Sequence, residues 1–214
     1  MNDENSLRER LIDVGVDLVL TEGSASVGLR EIARRAGVSH GAPRRYFATH
    51  HALLAAIAQR GFEDLAARFE GADDREAPPR VQLERIAGAY VGYALERRGM
   101  FELMFRHDLL DGAQQEAGRP QLRTSTLPLF MRMVELVGLC RKDPDAVHRP
   151  DSPGSSAVSP AVTAAALWSG LHGIAQLWTW GSLQLALGTP PPGDQERDRL
   201  VTAVLDAHLA PVTA

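Results

Sequence analysis

The chain has little cysteine: Cys140 is the only one in 214 residues. No intrachain disulfide can form, which excludes the small cross-linked secreted scaffolds and points to a reduced, intracellular setting. The opening MNDENSLRER is polar and acidic and lacks the apolar stretch of a secretory signal. No segment alternates apolar and polar residues as a half-buried strand does, and no internal repeat is present. Also missing are a nucleophile beside a base, a phosphate-cradling glycine loop and spaced metal ligands, so the expectation is no enzyme, no catalytic residues, no metal and no cofactor. Charge is absent from Ser152 to Gly193. That stretch invites a membrane test, since about 20 apolar residues can span a bilayer. Ser169, His172, Gln176 and Thr179 put a polar stripe along it, and no basic cluster flanks it. A buried helix and no membrane contact are expected.

Hydrophobic residues make up 44%, enough for a sizeable core, and the charged fraction is an ordinary 23%. The net charge of −4 argues against nucleic acid until it is divided. Between Gly28 and His50 lie Arg30, Arg34, Arg35, Arg44 and Arg45 against the single acid Glu31, a net of +4, which leaves −8 on the rest. A short basic segment on an acidic body is a local electrostatic footprint.

Apolar spacing predicts an all-α chain. Leu7, Leu11, Val14 and Leu18 form one helical stripe over 6–21, stopped by Gly23. A short helix over 29–35 follows. Ala36-Gly37-Val38 makes a turn, and a second short helix over 39–46 starts with Ser39 as cap and Pro43 in its first turn. Thr49 caps a helix over 50–69. Further helices are expected over 80–97 (interrupted by Gly99), 100–105, 121–141 (bent or started late at Pro128), 160–187 and 194–209. Residues 143–160, with four prolines and little hydrophobic content, read as an exposed connection.

Two short arginine-bearing helices about a glycine turn form a helix-turn-helix pattern, in which the second helix enters the DNA major groove. His40, Gly41 and Ala42 are small enough, as a group, for close backbone approach to the duplex. Arg44 and Arg45 can bind phosphates or guanine edges. Tyr46 and Phe47 would anchor the helix to its own core, with Tyr46 a further phosphate candidate. Thr49 begins a helix whose free N–H groups can hold a phosphate. The plain alternative is a helical hairpin with a solvated basic face.

The full string LREIARRAGVSHGAPRRYFATHHALLAAI resembles the DNA-binding domain of TetR-family transcription regulators, with Arg30, Glu31, Ile32, Ala33, Ala36, Gly37, Val38, Ser39 and Phe47 matching over about residues 6 to 60. It departs from that family at Arg44, usually a tyrosine, at His50, usually a lysine, and at Gly28, usually Ser or Thr. RRGMFELMF (97–105) and ALWSGLHGIAQLW (166–178) resemble the WHG domain subgroup. The resemblance implies a DNA-binding domain over 1–48 and a ligand-binding and dimerisation domain over 49–214. It implies a cytoplasmic homodimer, paired through helices 160–187 and 194–209, that reads a palindromic double-stranded DNA operator as a repressor. The DNA-contacting residues would be Arg30, Ser39, His40, Gly41, Ala42, Arg44, Arg45, Tyr46, Thr49 and His50. A small apolar or amphipathic effector would release the DNA, with Met100, Phe101, Met104, Phe105, Trp168 and His172 as candidate pocket residues. The competing reading is a helical ligand-binding protein of the same fold that has lost operator binding.

Overall fold

The computed structural model describes residues 2–106, 122–142, 158–188 and 194–209. Most of the expected connection, 143–157, lies outside them. Among the described residues there are ten α-helices, one 3-10 turn and no strand. The helices are α1 (Asn2–Glu22), α2 (Leu29–Arg35), α3 (Pro43–Tyr46), α4 (His50–Ala72), α5 (Pro79–Glu96), α6 (Arg98–Met104), α7 (Leu122–Cys140), α8 (Pro160–Thr179), α9 (Ser182–Leu187) and α10 (Asp194–His208). By packing, the chain divides into two compact units, one of residues 1–65 and 96–126, the other of 66–95 and 127–214.

In the first unit α1 packs against α2, α3 and α6. In its core Leu11, Leu18, Ile32, Leu53 and Ile57 are fully buried, as the helical stripes of the sequence require. Gly23 ends α1, donating its N–H to the Val19 carbonyl at 3.1 Å. Gly99 does not interrupt a helix as expected. The break falls at Arg97, whose backbone leaves the helical region, and Gly99 lies inside α6. There it meets the end of α1 so closely that a Cβ would overlap the Val19 carbonyl oxygen. Its role is steric, since a backbone atom cannot give way as a side chain can.

In the second unit Leu83, Val91, Tyr93, Leu136, Val137, Ala164, Leu167 and Leu205 are fully buried. α8 packs against α9 and α10, and a Cβ on Gly170 would stand 2.9 Å from Val204. Arg132 of α7 fastens the α4–α5 connection, with bonds of 2.9 and 2.8 Å to both oxygens of Asp73 and one of 2.6 Å to Gln82.

Three further expectations change. The helix placed over 39–46 is a single turn, Pro43–Tyr46. Starting at Pro43 puts the missing proline N–H among the donors a helix start leaves unpaired anyway. Ser39 serves through its carbonyl, which accepts the Ala42 N–H at 2.9 Å, and the helix has no side-chain cap. The segment 160–187 is two helices, because Gly181 takes a left-handed conformation, φ 77°, that only glycine adopts at little cost. Of the two alternatives at Pro128, the late start is excluded: α7 begins at Leu122, and Pro128 sits exposed within it. There the Thr124 carbonyl that loses its donor, also at an exposed residue, can turn to water. No helix among the described residues is long and apolar enough to cross a membrane.

Candidate nucleic-acid interface

The geometry of the basic segment begins with the turn between its two short helices. α2 closes in a left-handed ending: Gly37, at φ 68°, donates to the Arg34 carbonyl at 3.2 Å, and Val38 donates to the Ala33 carbonyl at 3.0 Å. Ala36-Gly37-Val38 thus ends α2 while pairing the Ile32, Ala33 and Arg34 carbonyls. The turn over Ser39–Ala42 follows, and α3 then has two faces. Pro43 and Phe47, four residues apart, are buried, while Arg44 and Arg45 between them are exposed. Phe47 is held further by the Arg8 guanidinium, 5.4 Å from its ring centroid. Tyr46 is half-buried, and Ser39, His40 and Gly41 are exposed, with Ala42 half-buried.

Thr49 does cap α4: its hydroxyl oxygen accepts the Ala52 N–H at 3.1 Å. His50, first residue of that helix, donates from Nε2 to the Val27 carbonyl at 2.7 Å. A carbonyl only accepts, so the proton is on Nε2, and in the neutral ring Nδ1 is left as an acceptor. His50 therefore ties the start of α4 to the residue before the Gly28 cap of α2.

The five arginines of the segment are not equivalent. Arg34 donates two bonds to Glu31, at 2.9 and 2.5 Å, and Arg35 donates a third at 2.7 Å. Arg35 also pairs with Glu22 at the end of α1. The paired guanidinium groups, Arg34 first and Arg35 second, pull the Glu31 carboxyl down to about 2. Arg30, Arg44 and Arg45 are exposed and form no ion pair among the described residues. The free cations are thus three of five, and all three are among the expected DNA contacts. Glu31 could have been found in the sequence, since it stands three and four residues before the arginines it binds. Glu22 could not, because its contact spans 13 residues and depends on how α1 and α2 pack.

The expected effector residues divide between the two units. In the first, Met100, Phe101 and Met104 are buried. Phe105 meets Phe101 at a tilt of 57° with ring centroids 4.8 Å apart, and meets Phe62 edge-on at 5.8 Å. In the second, Trp168 Nε1–H donates to the Tyr90 hydroxyl at 3.0 Å, and that hydroxyl lies 2.8 Å from His172 Nδ1. Burial raises the Tyr90 hydroxyl above its ordinary range and lowers His172. Nothing in the sequence pointed to Tyr90 as the partner joining Trp168 to His172.

Two family descriptions match the chain: "Bacterial regulatory proteins, tetR family" over residues 11–57, and "Tetracyclin repressor-like, C-terminal domain" over 83–207. The uncharacterized HTH-type transcriptional regulator in the dhlA 5' region of Xanthobacter autotrophicus is 35% identical over 100 residues, covering 44% of this chain and 47% of that one. The match therefore spans about half the length of that curated relative. A protein of unknown function from Rhodococcus sp. RHA1 has a similar structure, with 30% identity, a TM-score of 0.68, and coverage of 94% of this chain and 93% of that one. The TetR family transcriptional regulator PfmR of Thermus thermophilus shares the fold at 18% identity and a TM-score of 0.57, covering 96% and 100%.

Proposed function

The chain belongs to the TetR family of transcription regulators, a family of regulators and not of enzymes, and from that premise we propose that it is a homodimeric repressor. One α3 from each subunit enters the major groove of a palindromic operator. The observation that carries this is the two-faced α3, with Pro43 and Phe47 buried and Arg44 and Arg45 exposed without an acid opposite them. Arg30, Thr49 and the turn Ser39–Ala42 flank that helix in sequence and complete the contact set with Tyr46. His50 acts from behind, through Val27. By function the chain divides into 1–48, which reads DNA, and 49–214, which binds the effector and pairs.

Pairing is supported by α8. At 100° per residue Val162, Ala166, Ser169, Leu177 and Trp180 fall on one strip, and all five are exposed. That strip carries no charge and runs the length of the helix, which suits a second copy of itself across a two-fold axis. The methionine and phenylalanine cluster of α6 and the Trp168–Tyr90–His172 group of the second unit suit a small apolar or amphipathic effector that favours the DNA-incompetent state. The C-terminal signatures fit the WHG subgroup, and the working compartment is the cytoplasm. Selection of bound duplexes from a random library, with the mass of the complex measured, tests the whole reading. Enriched palindromes bound by two subunits are expected. A monomer that enriches nothing overturns it in favour of a ligand-binding protein of the same fold.

A further inference from the structure

Resting on the reading that this segment binds duplex DNA, we propose that Glu22 and Glu31 limit sequence-independent binding by withholding Arg34 and Arg35 from the phosphates. Non-specific affinity follows the number of phosphates that arginine and lysine neutralise. The logarithm of the binding constant falls with the logarithm of salt by about 0.9 per phosphate contact. By composition the segment offers five arginines. By geometry two of them are engaged in a compact network: the Glu31 carboxylate receives three guanidinium N–H bonds, and Arg35 continues to Glu22. Arg34 meets Glu31 through both its Nε and one terminal nitrogen, the planar fork that is the strongest form of such a pair. The network joins the end of α1 to α2, two helices that pack against each other. A carboxyl held down to about 2 stays ionised throughout the working range.

The consequence differs for the two kinds of complex. At an operator, α3 fixes the register, and a freed arginine on α2 meets a phosphate only where that register places one. On random DNA the protein is free to turn, and every freed cation finds the backbone. The two acids therefore widen the gap between operator and random duplex without touching either.

Fluorescence anisotropy of the full chain with a labelled random-sequence duplex, over a salt series, tests this. The Glu22→Gln, Glu31→Gln double variant should bind that duplex several-fold more tightly, with a slope steeper by up to about 1.8 per subunit. The Arg34→Gln, Arg35→Gln double variant should keep the wild-type slope, because those side chains are already withheld. The variant with all four changes has the wild-type net charge and should return to the wild-type slope. An arginine double variant whose slope falls by about 0.9 for each residue overturns the inference, as does an acid double variant with an unchanged slope. The arginine variants decide the matter even if loss of both acids prevents folding. A wild-type protein that ignores every duplex at low salt removes the DNA-binding reading itself, and this inference with it.

Discussion

Two pairs of adjacent arginines stand ten residues apart, Arg34-Arg35 at the end of α2 and Arg44-Arg45 inside α3. As strings they are the same, and both lie in the last turn of a short helix, where a cation is favoured by the helix dipole. Their surroundings differ. α2 carries Glu31 one turn before its arginines and has the end of α1 beside it, so both guanidinium groups are occupied. α3 follows a turn without acids and buries its other face, so its arginines face solvent. The first pair ties two helices together, while the second remains available to a partner. A count of cations in a sequence is therefore not a count of available charge.

The largest effect should come from the exposed pair. Arg44→Ala with Arg45→Ala should weaken operator binding on the order of a hundred-fold, as expected for loss of two contacts of about 1–3 kcal/mol each. Arg34→Ala with Arg35→Ala should change it little. Equal losses from the two pairs, measured by gel shift at fixed salt, would erase the distinction.

Thr49→Ala sharpens the comparison from the side of the scaffold. Neither α2 nor α3 has a side-chain cap, whereas α4, which follows them, has one. Its loss should reduce unfolding stability by about 1 kcal/mol in denaturant titration. A comparable effect is expected at His50. His50→Ala removes one hydrogen bond, worth about 0.5–1.5 kcal/mol, and should weaken DNA binding several-fold with the salt slope unchanged. His50→Gln keeps a neutral donor for the Val27 carbonyl and should recover most of the loss. A slope that falls by about 0.9 in His50→Ala would instead make His50 a direct phosphate ligand.

The smallest effect concerns acid. The Glu31 carboxyl is lowered from 4.5 to about 2, so the folded state binds its proton later than the unfolded state does. Its contribution to stability is complete above 4.5 and is lost as pH falls through about 2. Melting temperatures of the wild type and Glu31→Gln should differ slightly above about pH 5 and converge near about pH 2. A gap that widens on acidification would mean the pairing is absent in solution.

Much of this molecule is legible from residue order alone, and the failures are instructive. α2 runs over its expected residues because its apolar periodicity and flanking glycines act locally. The Thr49 cap is also local, spanning three residues. The helix expected over 39–46 shrank because Pro43 is better tolerated as a first residue than as a fourth. Gly99 looked like a breaker and proved to be a contact surface, a distinction that depends on where Val19 lies. Tyr90 has no signature at all, since its relation to Trp168 and His172 joins residues 78 and 82 positions apart.

What the sequence alone determined is the all-α class, the turn between α2 and α3, and the family to which those residues belong. Each of these follows from periodicity, caps and backbone freedom within a few residues. Only the tertiary structure decided which arginines are free, which histidine nitrogen is engaged, and why α6 requires a glycine. Those depend on groups distant in the chain meeting at hydrogen-bond or van der Waals range, and short-range order carries no information about such meetings.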